Sequence, residues 1–130
     1  MRLLLDSRIL LWAIEAPERI AAAARAAIED PRNLVFVSTA STWEIAIKYA
    51  LGKLALPAAP ASFLPAHIKM ARFTILPVGL EHSLAVASLP AHHSDPFDRL
   101  LIAQGLLDDL TIVTVDPVFV NNGANVWPLT

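Results

Sequence analysis

Four acidic residues of this chain stand where hydrolytic chemistry is possible. Asp6 closes the apolar run "RLLL", and Asp116 closes "TIVTV". Glu44 follows "VFVSTASTW", and Asp98, with Asp95 three residues ahead of it, opens "DRLLIAQ". Carboxylates brought together repel one another and rise in pKa unless a cation neutralises them. A ligand set of oxygen alone suits Mg²⁺ or Mn²⁺, ions that activate water and stabilise a phosphoryl transition state.

Each acid also has a local explanation. Asp is a preferred N-cap, so Asp6 and Asp116 can start the helices that follow them. Glu44 has Lys48 four residues on, a helical surface pair worth a few tenths of a kcal/mol. Asp95 and Asp98 are a cap and a first-turn acid in either order of importance. These explanations treat the acids one at a time and leave their gathering at one edge unexplained.

That gathering follows from the order of elements. The runs 2–5, 34–38, 73–78, 111–116 and 125–129 read as strands, the last a short one. Between them lie helical patterns at 9–15, 17–29, 63–72, 80–89 and 96–108, with Pro65 weakening the third, and a helix from Thr39 closed by Gly52. In the Thr39 helix Trp43, Ala46, Ile47, Ala50 and Leu51 recur at helical spacing. Residues 55–62 read as a proline-broken connection. Alternating strands and helices, with continuous apolar strands, predict an α/β fold with a mainly parallel sheet covered on both faces. In such folds function collects outside the carboxyl ends of the strands, where Asp6 and Asp116 stand.

Composition narrows the class. The 130 residues predict a single domain, 1–130, with 55% hydrophobic and 17% charged residues, which excludes disorder. The chain has no cysteine, so neither a disulfide scaffold nor a thiolate metal site is possible. Asp6 and Arg8 interrupt the apolar N-terminus, and no stretch reads as a membrane span; the expectation is a cytoplasmic protein without membrane contact. The net charge of −2 gives no basic excess for a nucleic-acid coat, although setting four carboxylates aside as ligands leaves the rest at +2.

"LLLDSRILLW", "VFVSTASTWEIAIKYALGKL", "HHSDPFDRLLIAQ" and "TIVTVD" together resemble the PIN-domain family, in particular VapC-type toxins of toxin–antitoxin pairs, over essentially the whole chain. The resemblance implies a PIN-like three-layer α/β/α sandwich and places the family's catalytic and metal-binding acidic quartet on Asp6, Glu44, Asp98 and Asp116, with Mg²⁺ or Mn²⁺. It implies an endoribonuclease acting on tRNA or rRNA, a homodimer, and a VapB-like antitoxin that enters the active-site groove. It also decides between the two neighbouring aspartates: relatives carry D-x-L-x-x-A 18 residues ahead of the fourth acid, and "DRLLIA" begins at Asp98. Asp95 then becomes the N-cap, with Pro96 at the first helical position, or an outer holder of bound water. Ser7 and Thr114 stand where relatives carry hydroxyls near the metal, or act as local caps.

One departure is visible: many relatives have His two residues after the first acid, and this chain has Arg8, a permanent charge suited to substrate phosphate or to an antitoxin carboxylate. His92 and His93 lack a matched second pair and read as loop residues. Trp12, Trp43 and Trp127 read as core or dimer packing. Two alternatives stand beside the nuclease: a phospho-receiver-like signalling domain, against which the single Asp after the first strand and the absence of any Lys beyond Lys69 count, and a catalytically silent PIN binding module.

Overall fold

Leu3, Leu4 and Leu5 alternate between two cores, and that alternation sets the architecture. Leu3 and Leu5 join Val35, Val37 and Val113 on one face of a sheet, while Leu4 joins Ile112, Phe36, Leu76 and Val126 on the other. A strand buried on both faces must be apolar at every position, which is why these runs are continuous. In the computed structural model, residues 1–90 and 94–128 are described; His92, His93 and the end of the expected fifth strand at Leu129 lie outside the described residues.

The sheet contains β1 (Arg2–Leu5), β2 (Leu34–Ser38), β3 (Thr74–Leu76), β4 (Thr111–Thr114) and β5 (Val126–Pro128). All pairings are parallel, in the order β3-β2-β1-β4-β5. The chain grows outward from β1 through β2 to β3, then returns to place β4 on the opposite side of β1. A crevice therefore opens at the carboxyl ends of β1 and β4, the topological switch point at which α/β folds bind ligands.

Helices α1 (Ser7–Glu15), α2 (Ala22–Glu29), α3 (Thr39–Ala50) and α4 (Pro60–Met70) cover the Leu3 face, contributing Ile9, Leu10, Ala24, Ile28, Ile45, Phe63, Leu64 and Ile68. Helix α6 (Pro96–Leu107) covers the Leu4 face with Leu101 and Ile102, aided by Phe119 of the 3₁₀ turn Pro117–Asn122. Helix α5 (Leu80–Ala85) is tied to the end of α6: buried His82 accepts the Gly79 N–H on Nδ1, so its Nε2–H donates to Asp108, at 2.9 Å. The result is a three-layer α/β/α sandwich. Among the described residues no helix is long and apolar enough to cross a membrane.

Two sequence expectations require correction. The helix expected from Pro17 begins instead at Ala22: Pro17–Arg19 form a 3₁₀ turn and Ile20 is extended, at φ −85° and ψ 135°, to reach the core. Helix α4 starts at Pro60, a residue favoured at the first helical position, inside the expected connection. The apolar stripe of α3 faces outward. Trp43 and Leu51 are 58% and 62% exposed, whereas Ala40, Ser41, Glu44 and Ile45 face inward. Trp43 is therefore not a core residue; Trp12 and Trp127 are partly buried against the core.

Candidate active site

Asp6, at the end of β1, is the first fixed point of the crevice. Its Oδ1 accepts the Ile9 N–H at 2.8 Å, capping α1. Its Oδ2 accepts the Thr114 hydroxyl at 2.5 Å. Thr114 is fully buried at the end of the neighbouring strand β4, and its Oγ1 in turn accepts the Asp116 N–H at 3.0 Å. One hydroxyl thus fixes the Asp6 carboxylate and the backbone of Asp116. Asp116 caps the following 3₁₀ turn through the Val118 N–H, at 3.0 Å.

Glu44 reaches the crevice because α3 turns its polar face inward. The Ser7 hydroxyl donates to Glu44 Oε1 at 2.5 Å, and Lys48 Nζ donates to Oε2 at 2.7 Å. Glu44 is 6% exposed, so this pair is no ordinary surface pair. Asp95 caps α6, its Oδ1 accepting the N–H groups of Phe97 and Asp98 at 2.9 and 3.1 Å, and Pro96 occupies the first helical position. That turn sets Asp98 on the crevice wall.

The resulting cleft has a volume of about 220 Å³. Asp6, Glu44, Asp98 and Asp116 line it, together with Ser7, Arg8, Lys48 and Asp95 and with Val115 and Phe119 as an apolar wall. All four expected acids therefore open on one space. Arg8 is exposed at its mouth, within electrostatic range of Asp6. Lys48 is a cleft residue that the sequence does not single out: its i+4 spacing from Glu44 reads as a surface pair, yet places it beside Glu44 at the cleft.

Charge in the cleft leaves its mark. Burial pushes the Asp6 carboxyl above the ordinary carboxylate range, opposed by the Thr114 and Ile9 hydrogen bonds and by Arg8, and reinforced by Asp116. The hydrogen bond to Glu44 holds Lys48 above the usual ammonium range against partial burial, with Asp95 and Asp98 adding to the effect. Carboxylate oxygen alone is the donor chemistry that Mg²⁺ and Mn²⁺ prefer, so the lining of the cleft fits such an ion in kind. Among the described residues, no three of these acids close onto a single point. Glu44 is drawn onto Ser7 and Lys48, and Asp6 onto Ile9 and Thr114.

Fold and site define a parallel α/β domain with an acidic cleft at its switch point. The sequence matches the PIN domain over residues 3–124, and the chain belongs to that family. This membership removes the receiver-like alternative. Ribonuclease VapC16 of Mycobacterium tuberculosis is 44% identical over 59 residues, 45% of this chain; the match spans about two-fifths (40%) of that relative's length. VapBC2 from Rickettsia felis, in a complex with a DNA fragment from its promoter, shares the fold over the full length of both chains, with a TM-score of 0.75 and 15% identity. FitAcB from Neisseria gonorrhoeae does so over 96% of each chain, with a TM-score of 0.67 and 20% identity.

Proposed function

We propose that this chain is a divalent-metal-dependent endoribonuclease toxin of the VapC type, hydrolysing phosphodiester bonds of structured RNA such as tRNA or rRNA. The observation that carries the reading is the convergence of Asp6, Glu44, Asp98 and Asp116, from four separate elements, on one cleft at the switch point. Similarity to a named ribonuclease supports the same reaction class.

Asp6, Glu44, Asp98 and Asp116 would hold Mg²⁺ or Mn²⁺. When bound, such an ion supplies an activated water and stabilises charge on the phosphoryl oxygens. The chain's own residues do the positioning. Thr114 fixes Asp6 and orients the Asp116 backbone, Ser7 orients Glu44, and Asp95 sets the turn that presents Asp98. Arg8, at the mouth, attracts a phosphate or an antitoxin carboxylate. No side chain in the cleft needs to act as a covalent nucleophile.

The partners belong to the same reading: a VapB-like antitoxin over the cleft, and a second copy of the chain in a homodimer. The similarity to the VapBC2 and FitAcB structures supports the first. Exposed Trp43, Leu51, Leu80 and Leu84 support the second, as apolar surface that association would cover. We place the protein in the cytoplasm as one domain over residues 1–130. Incubating the purified chain with tRNA and rRNA in Mg²⁺, and again in EDTA, tests the function. Cleavage that EDTA abolishes supports the nuclease; the silent-module reading requires no cleavage in either condition.

A further inference from the structure

We propose that Lys48 is a resident cation of the cleft, holding Glu44 in the metal-free protein and leaving it for the substrate phosphate when a divalent ion binds. The inference rests on the metal-dependent reading above. Five carboxylates, Asp6, Glu44, Asp95, Asp98 and Asp116, line one small space and repel one another unless a cation or a proton neutralises them, and Lys48 and Arg8 are the cationic side chains lining it. Arg8 is exposed, and among the described residues it makes no hydrogen bond to an acid. Lys48 contacts Glu44 Oε2 at 2.7 Å and feels Asp95 and Asp98.

Burial is unequal within this pair: the Glu44 side chain is 8% exposed and the Lys48 side chain 52%. Glu44 is packed in place, with Ser7 on its other oxygen. Lys48 has a flexible four-carbon stem and solvent to move into. An ammonium and a divalent cation compete for the same carboxylate oxygen and repel each other strongly at short range in a site of low dielectric. Binding of the ion therefore expels the member that is free to move. The released ammonium stays at the cleft rim, where an incoming phosphate replaces the carboxylate as its partner. This exchange also accounts for the acids that line the cleft without closing on one point: Glu44 is held by its internal cation.

Lysine labelling read by mass spectrometry tests the exchange on the full chain. With an acylating reagent, Lys48 is expected to become several-fold more reactive when Mg²⁺ is added, while exposed Lys69 serves as the unchanged internal reference. Lys48→Met is expected to bind Mg²⁺ several-fold more tightly by calorimetry, and to bind RNA more weakly with Mg²⁺ present. Lys48→Arg controls for loss of charge alone and keeps most of the RNA affinity. Mg²⁺ binding to the wild-type chain with unchanged or reduced Lys48 labelling overturns the exchange and leaves the nuclease reading standing. Absence of Mg²⁺ binding to the wild-type chain overturns both.

Discussion

The Thr114 hydroxyl donates to Asp6 Oδ2 at 2.5 Å and accepts the Asp116 N–H at 3.0 Å, so one buried side chain at the end of β4 couples two acids of the cleft. Thr114→Val keeps the shape and removes both bonds. Leaving the Asp116 N–H and an Asp6 oxygen without their partner is expected to cost about 1–3 kcal/mol in urea denaturation and to weaken Mg²⁺ binding. Thr114→Ser, which retains the hydroxyl, is expected to recover most of both losses.

Asp6 predicts a pH dependence. Burial raises its folded-state pKa above the ordinary value of 3.8. The fold therefore favours the neutral carboxyl; this contribution is fully present below the unfolded value and is lost as pH rises through the folded one. At neutral pH the ionised Asp6 is a cost, which Asp6→Asn removes while keeping an oxygen for the Ile9 N–H. Thermal melts of metal-free protein are expected to show Asp6→Asn above wild type at pH 7, with the gap closing on acidification. Mg²⁺ is expected to raise the wild-type melting temperature more than that of the variant.

Asp95 is expected to separate cap from site. Asp95→Asn still accepts the Phe97 and Asp98 N–H groups and is expected to retain most RNA cleavage. Asp95→Ala loses the cap, at about 1 kcal/mol, and lets the first turn of α6 fray, with a larger loss of activity. Melting and cleavage assays on the two variants measure the difference.

Trp43 is more than half exposed, its ring edge-on to Phe97 at 5.2 Å between centroids. Trp43→Ser is expected to change stability by no more than about 1 kcal/mol, because little burial is lost. If the outer face of α3 joins the homodimer, sedimentation of the variant shifts toward the monomer.

What the sequence revealed and what it concealed follow one physical line. Strands β1 and β4 were legible because a doubly covered strand is apolar throughout, and the turn into α6 was legible because Asp95-Pro96 is a strong start signal. The face of α3 was not legible because an apolar stripe normally points inward, whereas here the helix buries Ser41 and Glu44 and leaves Trp43 and Leu51 outside. Local pattern gives way where a site needs a buried charge. The same rule hid Lys48, whose role depends on which way Glu44 faces. The Ala-rich segment before α2 lacks a capping side chain, since Ala21 makes no side-chain cap bond, so nothing in its composition marked the helix start at Ala22. The four acids were placed by the order of the elements together with the resemblance, and spacing alone left Asp95 and Asp98 undivided.

The central claim is that the four acids act together in metal-dependent RNA hydrolysis, and Asp98→Asn tests it most directly. Asp98 stands two residues after Pro96 in the first turn of α6, and asparagine keeps the shape of its side chain, so the variant is expected to fold as wild type by circular dichroism. Cleavage of structured RNA in Mg²⁺, measured for the two proteins side by side, is predicted to fall by at least about 100-fold, the scale of losing a group that stabilises a transition state electrostatically. Undiminished cleavage by the folded variant would contradict the assignment.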